Sequence, residues 1–174
     1  GLFAALGTGG TVQNVGLDGI ALTGAQYVGG VVGKAPAGST VLQSYATGVM
    51  RGTSYVGGLL GQSYGALSQC YAAGSATATT SYAGGLLGFN AYGTATQSYA
   101  TGAVTGGQYV GGLAGRDYGG PLSQCYATGA VTGTTNVGGL IGLSASATIA
   151  SSFWDTETSG QAVSSGGMGL TTAQ

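Results

Sequence analysis

The sequence predicts an all-β protein, a β-solenoid (β-helix) of about six coils with about 27 residues in each, and three observations carry that prediction. The 11 tyrosines fall into columns of one repeat. Gly-Gly pairs keep the same period. Between the glycines stand short runs of β-formers with no apolar stripe at helical spacing. A period of this length marks an array whose units bury their apolar surface only by stacking on one another.

The first tyrosine column is Tyr27, Tyr55, Tyr82 and Tyr109, with Asn136 fifth in phase. The second is Tyr45, Tyr71, Tyr99 and Tyr126, continued by Phe153, and the third is Tyr64, Tyr92 and Tyr118. Stacked coils lie about 4.8 Å apart, so each column becomes a ladder along the axis. Offset-stacked rings add roughly 0.5 to 1.5 kcal/mol per pair to the area they bury. The ladders either pack coil on coil or, where they face outward, offer sugars a stacking surface.

The Gly-Gly pairs begin at Gly29, Gly57, Gly84, Gly111 and Gly138, spaced 28, 27, 27 and 27. A composition of 39 glycines and 4% charged residues suits a flexible linker. The fixed phase between glycines and tyrosines excludes one. In a folded coil such glycines serve corners that need positive φ or close backbone approach. Runs such as Ser54–Leu60 and Gln97–Thr101 read as short strands bounded by glycine. Two or three strands and their turns fit one 27-residue coil, whereas a propeller blade needs about 40 residues. Leucines stack likewise, Leu59 on Leu86, Leu113 and Leu140. A like-charged ladder would repel itself, which accounts for only three Lys+Arg and four Asp+Glu. Residues 1–149 are the repeats, entered in mid-repeat, and residues 150–174 are a last degenerate coil and tail.

Tyr55-Val-Gly-Gly-Leu-Leu-Gly61 with Gln69-Cys-Tyr-Ala-Ala-Gly74, and Tyr109-Val-Gly-Gly-Leu-Ala-Gly115 with Gln124-Cys-Tyr-Ala-Thr-Gly129, resemble the GLUG-motif repeats of large bacterial surface and secreted proteins, filamentous-haemagglutinin-like adhesins among them. The tail from Ser152 to Thr172 resembles the segment that follows such repeats. The resemblance implies a β-solenoid on a secreted or cell-surface protein, with adhesive or scaffolding work, and it supplies no catalytic residues.

Chemistry is sparsely supplied. Without histidine there is no imidazole base and no Ser-His-Asp relay. Asp155 and Glu157 could act as a glycosidase pair or calcium ligands, yet read more simply as a capped turn. Arg116-Asp117 has the look of charged clusters in β-helical polysaccharide lyases and is read as a solvated turn opposite Tyr118. Cys70 and Cys125 occupy a column otherwise filled by Ser44, Ser98 and Ser152. Two coils put their Cα atoms about 9.6 Å apart, beyond the reach of a disulfide, so both are expected to be free thiols. No glycine-rich stretch has the Lys-Ser/Thr of a phosphate loop, and no cofactor is expected.

A net charge of -1 without a basic patch argues against nucleic acid. No apolar run is long enough to span a membrane as a helix. An extracellular or surface location follows from the family resemblance. Leu2 and Phe3 at one end, and Gly166 and Gly167 at the other, keep the phase of the repeat, and neither end shows a charged capping helix. The expectation is end-to-end association through these two edges, or continuation into neighbouring domains. The functional expectation is a non-catalytic structural segment of an extracellular adhesin or fibre. A glycan-binding surface is the alternative, and a carbohydrate-active enzyme a more remote one.

Overall fold

The computed structural model describes every residue from Gly1 to Gln174, and it is the β-solenoid that the period requires. All strand pairs are parallel, and each residue pairs with its equivalent one coil away. Every coil contributes to three sheets. The first holds Phe3–Ala5, Val32–Ala35, Leu60–Ser63, Leu87–Ala91, Ala114–Tyr118 and Ile141–Ala145. The second holds Thr11–Gln13, Thr40–Leu42, Ala66–Ser68, Thr94–Thr96, Leu122–Ser123 and Ile149–Ala150. The third is built on the long strands Tyr45–Gly57 and Tyr71–Gly84, flanked by shorter ones in the other coils.

The main core lies between the sheets and is laddered. Leu59, Leu86, Leu113 and Leu140 form one buried column, and Leu60, Leu87, Ala114 and Ile141 the next. A second apolar cluster, including Met50, Val56, Ala76, Val104 and Val110, fills a lobe between the outgoing and returning stretches of the third sheet.

The glycines and the corners divide the backbone work differently from the sequence expectation. At Gly58 a Cβ would stand 2.1 Å from the Gly85 carbonyl oxygen and 2.6 Å from the Ala72 Cβ, so close approach demands glycine there. At the two corners repeated in every coil, positive φ falls mainly on tyrosine and glutamine. Tyr27, Tyr55, Tyr82 and Tyr109 have φ between 56 and 62°, with Asn136 at 52°. Gln43, Gln69, Gln97 and Gln124 turn the opposite corner at 48 to 54°. A left-handed non-glycine residue costs on the order of 1 kcal/mol or more. Stacking of each tyrosine on the next is of the same size and offsets that cost.

The two ends differ. The first coil leaves Leu2 and Phe3 exposed at 53% and 40%, with Leu6, Val15, Leu17 and Ile20 only partly buried against the core. The last coil is covered by its own tail, contrary to the expectation of two open edges. Trp154 takes the position held by Ala46, Ala72, Ala100 and Ala127 in the coils before it and lies over Gly139, where a Cβ would meet the indole at 2.0 Å. Its Nε1–H donates to the Gln161 carbonyl at 2.9 Å. Beyond a one-turn helix, Thr156–Ser159, the Ser164 hydroxyl accepts from the Leu140 and Ile141 amides, and Gly139 N–H donates to the Val163 carbonyl. The tail thereby supplies bonds that a further coil would supply. Gly166 and Gly167 are packed on Ile149 and Leu140 of the same chain.

Candidate functional site

The first two tyrosine columns are ladders, as their spacing predicts. Along the first, Tyr27, Tyr55, Tyr82 and Tyr109 stack with centroids 4.8, 4.7 and 5.0 Å apart. Along the second, Tyr45, Tyr71, Tyr99 and Tyr126 stack at 4.8, 5.0 and 4.7 Å with planes within 4° of parallel. Phe153 continues that column in strand register with Tyr126. Every one of these tyrosines is at least partly exposed, so the rings pack coil on coil at the surface of the solenoid, outside the aliphatic core. Each interior ring spends both faces on its neighbours and shows solvent only its edge and hydroxyl.

The third column is not a ladder. Leu87 and Tyr92 are separated by one residue more than Leu60 and Tyr64 or Ala114 and Tyr118, so Ala91 pairs with Tyr118 and Tyr92 slips out of line. The extra residue turns Tyr92 to φ 61°, 64% exposed, with its ring edge-on to Tyr118 at 85° and 5.2 Å.

The serine and cysteine column does work that the sequence reading missed. Each side chain accepts an amide N–H from the coil before it: Val15 donates to Ser44 at 3.1 Å, Cys70 to Ser98 at 3.1 Å and Cys125 to Ser152 at 3.2 Å. Ser44 N–H donates to the Cys70 sulfur at 3.4 Å. Each hydroxyl or thiol in turn donates to the carbonyl two residues back, as Ser98 does to Thr96 at 2.7 Å and Cys70 to Ser68 at 3.1 Å. The column therefore wants a small donor and acceptor, which serine and cysteine both are. Both cysteines are free and buried, with Ser98 between them. Burial pushes each thiol up to about 11 and holds it protonated, as its donor role needs.

Asp117 corrects the reading of a solvated turn. It is fully buried, in strand register with Asn90 before it and Ser144 after it. Its Oδ1 accepts from Asn90 Nδ2 at 2.9 Å, and that bond, with the nearby Gly120 amide, favours the charged form. Oδ2 has no partner, nor has Asn90 Oδ1. Burial outweighs these bonds and raises the carboxyl to about 7.

Arg116, the neighbour of Asp117, goes to the surface. Its guanidinium lies 5.6 Å from the centroid of Tyr109, 5.6 Å from Tyr118 and 5.7 Å from Phe89, and its Nε is buried without a partner. Lys34 lies 5.3 Å over Tyr27. The two cations share one strand position of the first sheet, in the order Lys34, Gln62, Phe89, Arg116, Leu143. Its members are in phase in the sequence, yet they differ in type, and a search for repeated identities passes over them.

Asp155 is a helix cap. Its Oδ1 accepts from the Glu157 and Thr158 amides and its Oδ2 from the Thr172 hydroxyl at 2.8 Å, and these bonds hold the carboxyl below its ordinary value. Glu157 accepts from the Thr172 amide at 3.1 Å. The pair ties down the tail and forms no facing carboxylate dyad. Asp18 accepts from the Tyr45 hydroxyl at 2.9 Å and raises that phenol. No group of three or more metal-ligating acidic, cysteine or histidine side chains is assembled. Comparison with protein-family models, with curated proteins and with solved structures finds no match to this chain.

Proposed function

We propose that this chain is a non-catalytic structural segment, a stiff rod within an extracellular or cell-surface fibre of adhesin type. The observation that carries the reading is the continuity of its ladders. Two tyrosine stacks, two aliphatic columns and the serine and cysteine column run from coil to coil without a break. Such a rod resists bending and shear because displacing one coil breaks a parallel sheet edge on three sides at once. The carboxylates support the same reading, since Asp117 is walled in and Asp18, Asp155 and Glu157 are committed to structural bonds. The adhesin assignment and the surface location rest on the GLUG-like repeats. An end-to-end contact would not use Gly166 and Gly167, which are packed on Ile149 and Leu140 of the same chain.

Single-molecule pulling between the termini tests the mechanical claim. The expected record is a cooperative rupture that releases about 60 nm of contour at up to 3.6 Å per residue. Gradual extension at low force, or turnover of any polysaccharide by the protein, overturns the proposal.

A further inference from the structure

We propose that the strip running from Lys34 along the first tyrosine column to Arg116 binds a linear carboxylate-bearing glycan laid parallel to the solenoid axis. The inference stands whether or not the rod belongs to a surface fibre.

The argument starts from the ring quadrupole, negative on its faces and positive at its edge. Tyr27, Tyr55, Tyr82 and Tyr109 are stacked within 19° of parallel, so their negative faces meet one another and their positive edges and hydroxyls face out. Neutral sugars and nucleic-acid bases both need an open ring face. This column shows none along its length. Two of its rings are engaged by cations, Tyr27 by Lys34 at 5.3 Å and Tyr109 by Arg116 at 5.6 Å. What reaches solvent is a strip of positive ring edges with a full positive charge beside Tyr27 and another beside Tyr109.

Charge placement reinforces this. The chain has only three Lys+Arg, and two of them stand on this strip. The acids are elsewhere: Asp18 is bonded to Tyr45 and Thr47, Asp117 is buried on the inner side, and Asp155 and Glu157 hold the tail. Arg116 is held among Phe89, Tyr109 and Tyr118, each ring centroid within 5.7 Å of the guanidinium carbon. A planar guanidinium held ready in this way matches a carboxylate in bidentate fashion. Lys34 and Arg116 are three coil steps apart, roughly 14 Å at the strand spacing. One carboxylate cannot meet both; a chain of several acidic sugars does.

Titration calorimetry with an oligogalacturonate several residues long, against a neutral oligosaccharide of the same length and a single-stranded oligonucleotide, tests the proposal. Binding to the oligogalacturonate is expected to exceed both and to weaken with added salt. Arg116→Gln and Lys34→Gln each weaken it by about tenfold to a hundredfold, the range for a hydrogen bond to a charged group. Arg116→Lys falls between, because the charge stays and the fork is lost. Arg51→Gln leaves affinity unchanged, since Arg51 is the remaining cation and lies on the third sheet. If Arg116→Gln fails to fold, Lys34→Gln decides, because Lys34 is exposed. Equal binding of the neutral sugar, preference for the oligonucleotide, no binding at all, or an Arg51→Gln loss as large as that at Lys34 overturns the proposal.

Discussion

Asp117 makes stability depend on pH between about 4 and about 7, because its carboxyl is buried. Below about pH 4 the carboxyl is protonated in both the folded and unfolded chain and costs nothing. As pH rises from 3.8, the unfolded carboxyl ionises while the buried one stays protonated up to about 7. The unfolded state gains over that interval, and above about 7 the penalty is constant. A rise of about three units at 1.36 kcal/mol each makes the penalty about 4 kcal/mol. That is a sizeable share of the 5 to 15 kcal/mol that usually holds a domain together. For a chain of this length it corresponds to a melting temperature lower by about 8 to 16 °C near pH 7 than near pH 4. Asp117→Asn retains an Oδ1 acceptor for Asn90 while removing the titration. Thermal melts of both proteins at several pH values read the difference between them. That difference cancels Asp155, whose lowered pKa makes it lose stability only as pH falls below 3.8. A wild-type melting temperature that is flat from about pH 4 to about pH 7, or an Asp117→Asn protein with the same slope, refutes the reasoning.

Trp154→Ala opens the cap over Gly139 and orphans the Gln161 carbonyl, so urea midpoints are expected to show a loss of about 3 to 5 kcal/mol. Gly85→Ala drives a Cβ to 2.1 Å from the Gly112 carbonyl oxygen and is expected to cost about 1 to 3 kcal/mol, whereas Gly7→Ala, with open space around it, is neutral by the same measurement. Cys125→Ser is expected to stay within about 1 kcal/mol of wild type by chemical denaturation, because the hydroxyl can donate to the Ser123 carbonyl as the thiol does and as Ser98 donates to Thr96. In the native protein neither thiol reacts appreciably with a disulfide reagent near pH 8, and both titrate in urea; one reactive native thiol contradicts their burial.

Repeated identity made the fold legible. Tyrosines, Gly-Gly pairs and leucines recurring every 26 to 28 residues specify stacked parallel coils, because a residue placed at one phase meets its own kind in the next coil and the pairing is favourable only for apolar, aromatic or small neutral types. The two tyrosine stacks and the unbridged cysteines followed from that alone. The third tyrosine column was misread because its spacing stays close to 27 on average while Ala91 shifts Tyr92 by one place, and a one-residue shift in a strand changes the side of the sheet. The charged pair at Arg116 and Asp117 was misread because adjacent strand residues point to opposite sides, one into the wall and one onto the rings.

Coil length, register and the identity of the two stacked tyrosine columns are properties of phase and can be read along the chain. Which side of the wall each column faces, that the tyrosines themselves take left-handed corners, and that Trp154 and the tail cover the last coil are set by the folded chain alone. Facing, corner and cap are set by how three sheets close around one core, and that closure depends on contacts between positions of different phase, which a period along the chain does not encode.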